Sequence, residues 1–175
     1  MSQPDGLSRH GGTRTQAKEP RQTPRIANPA KAAPDVYQAM VRLEQAVAAS
    51  GLEHSLLELL KIRVSQINGC AYCLHMHTAD ARKAGESEVR LHLLAAWRES
   101  SLFSPRERAA LTWAESLTRI EQSHASDADY AVFKAEFSEA EQVKLVFAIG
   151  AINVWNRLAV GFRSAHPAGP TRVAA

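Results

Sequence analysis

The chain has 175 residues, of which 45% are hydrophobic and 22% are charged, the balance of a globular protein with a real core. Only two cysteines are present, which excludes the class of small secreted proteins held together by several disulfides. No apolar run approaches the roughly 20 residues of a membrane-spanning helix, and residues 1–29 contain no apolar signal segment. These features predict a cytoplasmic protein with no membrane association.

The positive charge is concentrated at the N-terminus. The whole chain has a formal net charge of +3, yet residues 1–25 contain five basic and two acidic groups, whereas residues 26–165 contain 15 basic and 16 acidic groups. A nearly neutral folded part argues against a specific nucleic-acid binder. Residues 1–29 are rich in Gly, Pro, Thr, Gln and Arg. Because such a segment buries too little apolar surface to offset the entropy of ordering, we predict a disordered basic tail over residues 1–29.

Helical patterning dominates from residue 34 onward. Pro34 with Asp35 favours a helix start, and apolar residues then recur three or four positions apart. Ser104 and Ser138, each followed three residues later by a glutamate, predict capping boxes at the starts of two later helices. The predicted helices span residues 34–49, 53–66, 70–84, 88–99, 104–120, 126–137 and 138–161.

No segment shows the alternating apolar pattern of a β-strand, and the sequence has no internal repeat. We therefore predict that residues 30–165 fold as an all-α bundle of about seven helices. Residues 166–175 contain two prolines and are predicted to form a flexible C-terminal tail.

The two cysteines form a C-x-x-C motif, Cys70 to Cys73, at the start of the third predicted helix. Residues three apart on a helical turn are neighbours, so the two sulfurs can reach disulfide distance. The partial positive charge of a helix N-terminus favours a thiolate over a thiol. His77 lies on the same face, one turn after Cys73, where it can take the thiol proton directly or through water. His75 is predicted to point elsewhere.

Glu58 lies between two pairs of leucines in the second predicted helix. In one interpretation its carboxylate is buried and hydrogen-bonded to His77, which it orients and stabilises in the charged form. In the other interpretation it pairs with Lys61 on the protein surface. Periodicity alone does not separate the two.

A zinc site with Cys70, Cys73 and His77 as ligands competes with a redox function. A tetrahedral site needs a fourth ligand, and the sequence contains no second C-x-x-C motif and no H-x-x-x-H motif. Two thiols on one face of one helix suit a redox pair better, so we predict no metal and no other cofactor. Because the chain has no strand pattern, this redox pair belongs to a helical fold rather than to a thioredoxin-like one.

The spacing of four residues resembles the signature of the alkyl hydroperoxidase D-like (AhpD-like) branch of the carboxymuconolactone decarboxylase superfamily. These residues are Glu58, Cys70, Cys73 and His77. The surrounding segment 60–73 and the C-terminal segment 153–157 also resemble the family. The likeness spans roughly residues 30–162.

The resemblance implies an all-helical fold that assembles into homotrimers or homohexamers, with thiol peroxidase or disulfide reductase activity. It implies that Cys73 is the peroxidatic thiol, which becomes a sulfenic acid, and that Cys70 is the resolving thiol and proton donor. His77 and Glu58 would form the proton relay. Tyr72 departs from the pattern, because the best-known members have a histidine there. The decarboxylases of the superfamily lack the cysteine pair, so a lactone decarboxylase is not expected.

The leading interpretation is a thiol-dependent peroxidase that acts on a hydroperoxide and is reduced again by an external dithiol, a thioredoxin-like or lipoyl-type protein. One alternative is a disulfide reductase that serves a separate peroxiredoxin. Another is a non-catalytic helical oligomer whose cysteines act as a sensor or a metal clip. Three polar residues of the last helix are interpreted as a buried hydrogen-bond network or a subunit contact: Asn153, Asn156 and Arg157.

Overall fold

A computed structural model describes residues 23–167, and the regular structure in this range is entirely helical. The nine α-helices of this range are α1 (Pro29–Ala32), α2 (Pro34–Ala48), α3 (His54–Asn68), α4 (Ala71–Lys83), α5 (Glu88–Leu93), α6 (Pro105–Thr118), α7 (Ile120–Ser123), α8 (Asp127–Glu136) and α9 (Glu139–Phe162). A short 3-10 helix spans Leu94–Ala96. The all-α prediction is confirmed. Residues 1–22 and 168–175, which make up most of the two predicted tails, lie outside the described residues.

All seven predicted helices are present, and short elements add to them. The side chain of Asn28 caps the single turn of α1 by accepting a hydrogen bond from the Lys31 N–H. The predicted fourth helix is α-helical only to Leu93 and continues as the 3-10 helix. Arg119 leaves helical geometry, with a φ of −110°, and separates α7 from α6. Such one-turn elements depend on local caps and turns, which apolar periodicity does not report.

Helix α3 is the centre of the fold because it is buried on nearly every side. Leu60 and Val64 face a core that α2, α6, α8 and α9 complete. Leu59 and Ile62 face a second core around Trp97. Each fully buried side chain of this kind contributes about 1.5–3 kcal/mol. Because α3 belongs to both cores, it cannot shift without disturbing either one, and this fixes the polar residues that it also contains.

Both predicted capping boxes are confirmed. At α6, the Ser104 hydroxyl accepts a hydrogen bond from the Glu107 N–H at 3.2 Å, and the Glu107 carboxylate accepts one from the Ser104 N–H at 2.8 Å. Ser138 and Glu141 repeat the arrangement at α9. The hydrogen bonds from Ser138 lower the pKa of Glu141 to about 2, with a further contribution from Arg106. These caps satisfy N–H groups that have no partner within their helices.

Glu115 of α6 is a buried carboxylate that links three parts of the fold. It accepts hydrogen bonds from Arg63 of α3 at 2.6 Å and from the Trp97 indole at 2.8 Å, and it is also paired with Arg98. Burial alone would raise the pKa of Glu115, but these three donors outweigh it and hold the pKa below 4.5. Glu115 is therefore an ionised group with a structural role in the second core.

Helix α9 has 24 residues and a mean hydropathy of 1.5 in its most apolar part, so it meets the length and composition criteria of a membrane span. The sequence prediction found no such run, because Lys144 and Arg157 bound the apolar stretch between them. Leu145 and Ile152 are buried in the core beside α3. One face of α9 therefore packs in the core, whereas apolar residues such as Phe147 on its other face are exposed. Within residues 23–167 no other helix meets the criteria.

The described part of the predicted N-terminal tail contacts the end of α9. The Arg25 N–H donates to the Phe162 carbonyl at 2.9 Å, and Arg25 Nη1 donates to the Gly161 carbonyl at 2.9 Å. These carbonyls lie in the last turn of the helix, where no intrahelical N–H is available. Contacts with the fold thus begin before residue 30, the predicted start of the folded domain. Composition does not reveal such backbone hydrogen bonds.

Two truncations separate the two parts of the N-terminus. We expect deletion of residues 1–22 to leave the melting temperature unchanged, because their composition offers little apolar surface to bury. Deletion of residues 1–27 also removes Arg25 and its two hydrogen bonds, and we expect it to cost about 1–2 kcal/mol. For a chain of this size that corresponds to a decrease of about 2–8 °C in Tm, measurable by calorimetry. Equal Tm values for both truncations would contradict the role assigned to Arg25.

Candidate active site

The turn between α3 and α4 positions the two cysteines. Gly69 ends α3 with a φ of +65°, a conformation that a side chain disfavours. The Cys70 N–H donates to the Ser65 carbonyl at 3.0 Å, and Cys70 is the N-cap residue of α4. A disulfide joins Cys70 and Cys73, whose Cα atoms are 5.4 Å apart. The structure therefore shows the pair in its oxidised form.

Both cysteines are buried, but they face different surroundings. Cys73 lines a cavity of about 710 Å³ between α2, α4 and α9, whereas Cys70 is absent from the lining, although both cysteines cluster with Ala159 of α9. This volume suits a small organic molecule. The rings of Tyr37 and Trp155 line the cavity and meet edge to face, with centroids 5.3 Å apart. Cys73 is thus the sulfur that a molecule entering the cavity meets.

His77 lies one turn after Cys73 in α4 and lines the same cavity. Its Nδ1 is 2.9 Å from Oε2 of Glu58, which reaches it from α3. Glu58 is 5% exposed and His77 is 7% exposed, so water competes little for this hydrogen bond. When Nδ1–H donates to Glu58, Nε2 becomes the nitrogen that can accept a proton. The carboxylate therefore fixes both the orientation and the tautomer of the ring.

Lys61 extends this pair into a row of alternating charges. Its Nζ lies 3.5 Å from Oε1 of Glu58 and 2.5 Å from Oε1 of Glu44 in α2. Lys61 is itself buried, at 7% exposure. The structure thus combines the two interpretations of Glu58, because the carboxylate contacts both His77 and Lys61. The pairing with Lys61 lies inside the protein and not on its surface, as the second interpretation had placed it.

The charge state of Glu58 follows from these contacts. Burial alone would raise its pKa, but the hydrogen bond with His77 and the positive charges of His77 and Lys61 outweigh burial and lower the pKa below 4.5. The carboxylate is therefore ionised at neutral pH. It stabilises a positive charge on His77 whenever that ring takes up a proton, which is what a proton relay beside a thiol requires.

The polar residues of α9 form a hydrogen-bond network around the cysteine turn. Asn68 Nδ2 donates to Oδ1 of Asn153 at 2.9 Å and to Oδ1 of Asn156 at 2.8 Å. Asn156 Nδ2 donates to the Ser65 hydroxyl at 3.0 Å, and Arg157 Nη1 donates to Asn153 Oδ1 at 3.0 Å. The network interpretation fits Asn153 and Asn156, whereas Arg157 joins the network from an exposed position. The network fastens α9 to the end of α3, directly before the cysteine pair.

Two neighbours of the motif lie where the helix geometry puts them. His75 is exposed and stacks on His166, with centroids 5.5 Å apart, as expected for a residue on the opposite side from Cys73. Tyr72 is 38% exposed and lines the large cavity. Among residues 23–167, no group of three or more His, Cys, Asp or Glu side chains is placed to hold a metal ion.

The structure brings together all four residues selected from the sequence, and it adds others. Lys61 gave a signal as a charge three residues after Glu58 in an apolar helix, but that signal did not show that the ion pair is internal. Tyr37 and Trp155 gave no such signal, because they meet only through the packing of α2 against α9. Pro24, Ile26 and Ala27 also line the cavity, although the composition of residues 1–29 indicated a tail.

The comparisons with known proteins agree on one family. Residues 34–116, which span α2 to α6 and contain all four site residues, match the carboxymuconolactone decarboxylase family. The uncharacterised protein YdfG of Bacillus subtilis (strain 168) is 43% identical over 128 residues, which cover 73% of this chain and 87% of YdfG. A relative of this identity and coverage shares the family as well as the fold.

Solved structures give the same result. ATU0492 of Agrobacterium tumefaciens, a protein of unknown function proposed to be the antioxidant defence protein AhpD, is 47% identical with a TM-score of 0.81, covering 84% of this chain and 100% of that one. The debrominase Bmp8 is 19% identical with a TM-score of 0.71, covering 79% and 74%, and this likeness shows the fold alone. The chain belongs to the carboxymuconolactone decarboxylase family, in its AhpD-like branch.

Proposed function

We propose that the chain is a thiol-dependent peroxidase that reduces hydroperoxides through Cys70 and Cys73. The observation that supports this most directly is the position of Cys73 in the wall of the large cavity, beside a histidine that a buried carboxylate holds in place. The similarity to ATU0492 supports an antioxidant role. We place the protein in the cytoplasm, where dithiol proteins that can reduce the pair are available.

The first step converts Cys73 to a sulfenic acid. His77 accepts the thiol proton, and the thiolate attacks the terminal oxygen of the hydroperoxide. A sulfur–oxygen bond forms, the oxygen–oxygen bond breaks, and the alkoxide that leaves takes a proton from the relay to become an alcohol. Sulfur is oxidised and the peroxide is reduced. Glu58 stabilises the charged ring between the two proton transfers.

The second step forms the disulfide seen in the structure. The Cys70 sulfur attacks the sulfenic acid of Cys73, the sulfur–sulfur bond forms, and the hydroxyl leaves as water with the Cys70 proton. An external dithiol, a thioredoxin-like or lipoyl-type protein, then reduces the disulfide by exchange and itself becomes oxidised. The complete cycle converts one hydroperoxide and one dithiol into an alcohol, water and a new disulfide.

The two alternatives predict outcomes that differ from those of the peroxidase. A disulfide reductase that serves a separate peroxiredoxin would use the same thiols and the same exchange step, but it would consume no peroxide on its own. A non-catalytic oligomer with a thiol sensor or metal clip would neither consume peroxide nor reduce disulfides catalytically. A metal clip would also be detected as metal bound to the purified protein. Peroxide consumption by the purified chain with dithiol donors, compared with Cys73→Ser, therefore separates the peroxidase from both alternatives. Metal content and thiol titration of the purified protein identify the non-catalytic oligomer.

The roles of the two thiols predict different reactivities. We expect Cys73 to alkylate faster than Cys70 at neutral pH, because it faces the cavity and has His77 one turn away. His77→Ala should slow Cys73 alkylation and hydroperoxide turnover by about 10²-fold, with partial recovery at higher pH as hydroxide supplies the thiolate. The measurement is the pH dependence of alkylation of the reduced Cys70→Ser and Cys73→Ser variants. Faster alkylation of Cys70 together with no effect of His77→Ala would contradict the assignment.

Glu58→Gln tests the carboxylate against a matched control, Glu115→Gln. Both carboxylates have a lowered pKa, so each stabilises the fold above pH 4.5 and loses that contribution as the pH falls through its folded-state pKa. Both variants should therefore show a weaker loss of stability in acid. Only Glu58→Gln should also slow Cys73 alkylation, by about tenfold, since it acts through His77. Equal alkylation rates for Glu58→Gln and wild type would contradict the relay.

We also propose that α9 mediates assembly into a homotrimer or homohexamer. Val143, Phe147 and Val154 follow one another at helical spacing on its outer face and are 56%, 56% and 40% exposed. A continuous apolar stripe of this kind favours burial against another chain. We expect Phe147→Glu to dissociate the assembly, whereas Val132→Glu, at an equally exposed apolar residue of α8, should not. Light scattering at micromolar concentration measures this, and a monomeric wild type would contradict the proposal.

A further inference from the structure

The cavity beside Cys73 is far larger than a peroxide group alone requires. Its volume is about 710 Å³, whereas a water molecule occupies about 30 Å³ in the liquid. Hydrogen peroxide is little larger than water, so it would leave most of this space unfilled and make few contacts with the wall. The remaining volume suits an organic group that carries the peroxide. This step rests on the proposed function, because it takes a hydroperoxide as the molecule that reaches Cys73.

The wall of the cavity presents aromatic and sulfur-containing side chains. Tyr37 and Trp155 line it, and their rings meet edge to face with centroids 5.3 Å apart. Met76 of α4 lines it as well and is 39% exposed, so its thioether is accessible. A bound aromatic ring can join an edge-to-face pair with the same geometry, and a methionine sulfur makes favourable contacts with ring edges. The lining therefore favours an aromatic organic group over a short alkyl group.

The charged groups of the lining disfavour an anion. Of the described residues that line the cavity, three carry a carboxyl group and one carries an ammonium group: Glu44, Glu58, Asp80 and Lys61. The ammonium of Lys61 lies 2.5 Å from Glu44 and 3.5 Å from Glu58, so it is already paired twice. When His77 takes up a proton, its charge faces Glu58. A carboxylate on the substrate would thus lose hydration without gaining a free cation.

The segment of residues 24–27, before α1, forms one side of the cavity wall. Pro24, Ile26 and Ala27 line the cavity, and Arg25 holds the segment to the last turn of α9 through two hydrogen bonds of 2.9 Å to backbone carbonyls. The Arg25 guanidinium makes one of these bonds and is absent from the lining. Ile26 is 37% exposed, so a ligand in the cavity removes part of its apolar side chain from water. The match to the family begins at residue 34 and does not include this segment.

We propose that this cavity selects an uncharged hydroperoxide with an aromatic organic group, and that Ile26 is a specificity-determining residue for it. The aromatic group lies against Tyr37, Trp155 and Met76. Ile26 covers the group from the side of segment 24–27, and the terminal oxygen of the peroxide reaches Cys73. Hydrogen peroxide is a poorer substrate because it makes few contacts, and a hydroperoxide with a carboxylate is poorer because its charge is unpaired.

The first test measures binding without any peroxide chemistry. The ligand is cumyl alcohol, the alcohol that forms from cumene hydroperoxide, and the protein is the full chain with its disulfide intact. The indole N–H signals of the tryptophans are followed by NMR. We expect cumyl alcohol to shift the signal of Trp155 but not those of Trp97 and Trp113, which are absent from the lining. An unshifted Trp155 signal at millimolar alcohol would overturn the inference.

Two derivatives of cumyl alcohol test the preference for an uncharged molecule. We expect the para-carboxylate to bind about tenfold more weakly than the para-carboxamide, which has nearly the same size and no charge. The affinities come from the same NMR titration of the Trp155 signal. Equal or tighter binding of the carboxylate would show that the cavity accepts anions, and it would overturn the proposed substrate class.

Ile26→Asp tests the wall, with Ile120→Asp as the matched control. Both isoleucines are exposed, at 37% and 54%, but Ile120 lies in α7 and does not line the cavity. We expect Ile26→Asp to weaken the binding of cumyl alcohol about tenfold, because it replaces apolar contact area with a charge. Ile120→Asp should leave the affinity unchanged. Equal affinities in the two variants would contradict the role of Ile26.

Turnover gives a readout that a merely structural role of Ile26 would not move. Ile26→Asp should raise KM for cumene hydroperoxide about tenfold and leave kcat nearly unchanged, because the lost contact is made equally before and during the reaction. Hydrogen peroxide is too small to use this contact, so its kcat/KM should be the same in wild type and variant. An equal loss for both peroxides would mean damage at Cys73 and would overturn the assignment of Ile26.

The outcomes keep this inference apart from the peroxidase proposal, because the NMR titrations contain no peroxide. The predicted binding in a chain that consumes no hydroperoxide would support the cavity as a site for uncharged aromatic molecules and contradict the peroxidase proposal alone. Turnover of hydroperoxides without that binding would overturn the inference alone. The same holds for turnover with no preference for cumene hydroperoxide over its para-carboxylate.

Discussion

The hydrogen bond between Glu58 and His77 is the constraint on which the site depends. A carboxylate placed among leucines loses its hydration, and it stays ionised only because His77 and Lys61 supply donors and positive charge at 2.9 and 3.5 Å. The burial of α3 in two cores holds that carboxylate still. The same burial that makes the charge costly also makes the hydrogen bond strong, since little water reaches it. His77 is thereby fixed one turn from Cys73.

The turn before α4 and the contacts of α9 hold the cysteine pair in place beside His77. The left-handed turn at Gly69 ends α3 and begins α4, so that the cysteine pair lies at a helix N-terminus. The amide network between Asn68 and Asn156 fastens α9 against that turn. With both helices fixed, the disulfide opens to the cavity through Cys73 alone of the two cysteines. The two buried carboxylates have separate roles. Glu58 lies at the candidate site, whereas Glu115 supports the second core and does not line the large cavity.

Much of this could be predicted from local sequence, and the remainder depends on packing. The seven main helices followed from caps and apolar spacing, because both are local properties. The four site residues followed from spacing along two neighbouring helices. The internal position of Lys61 and the wall formed by Tyr37 and Trp155 required knowledge of how α2, α3 and α9 meet. The contact of Arg25 with α9 joins its backbone N–H and its guanidinium to backbone carbonyls, which nearly every residue carries, so no side-chain pattern of α9 indicates it.

The central claim is that Cys73 is the sulfur that reacts with a hydroperoxide, because it alone of the pair faces the cavity and the relay. The most direct measurement treats the reduced Cys70→Ser and Cys73→Ser variants with one equivalent of hydroperoxide in the presence of a sulfenic-acid trap, followed by peptide mass spectrometry. The account predicts a trapped sulfenic acid on Cys73 in Cys70→Ser and none on Cys70 in Cys73→Ser. A sulfenic acid formed on Cys70, with Cys73 left reduced, would contradict it.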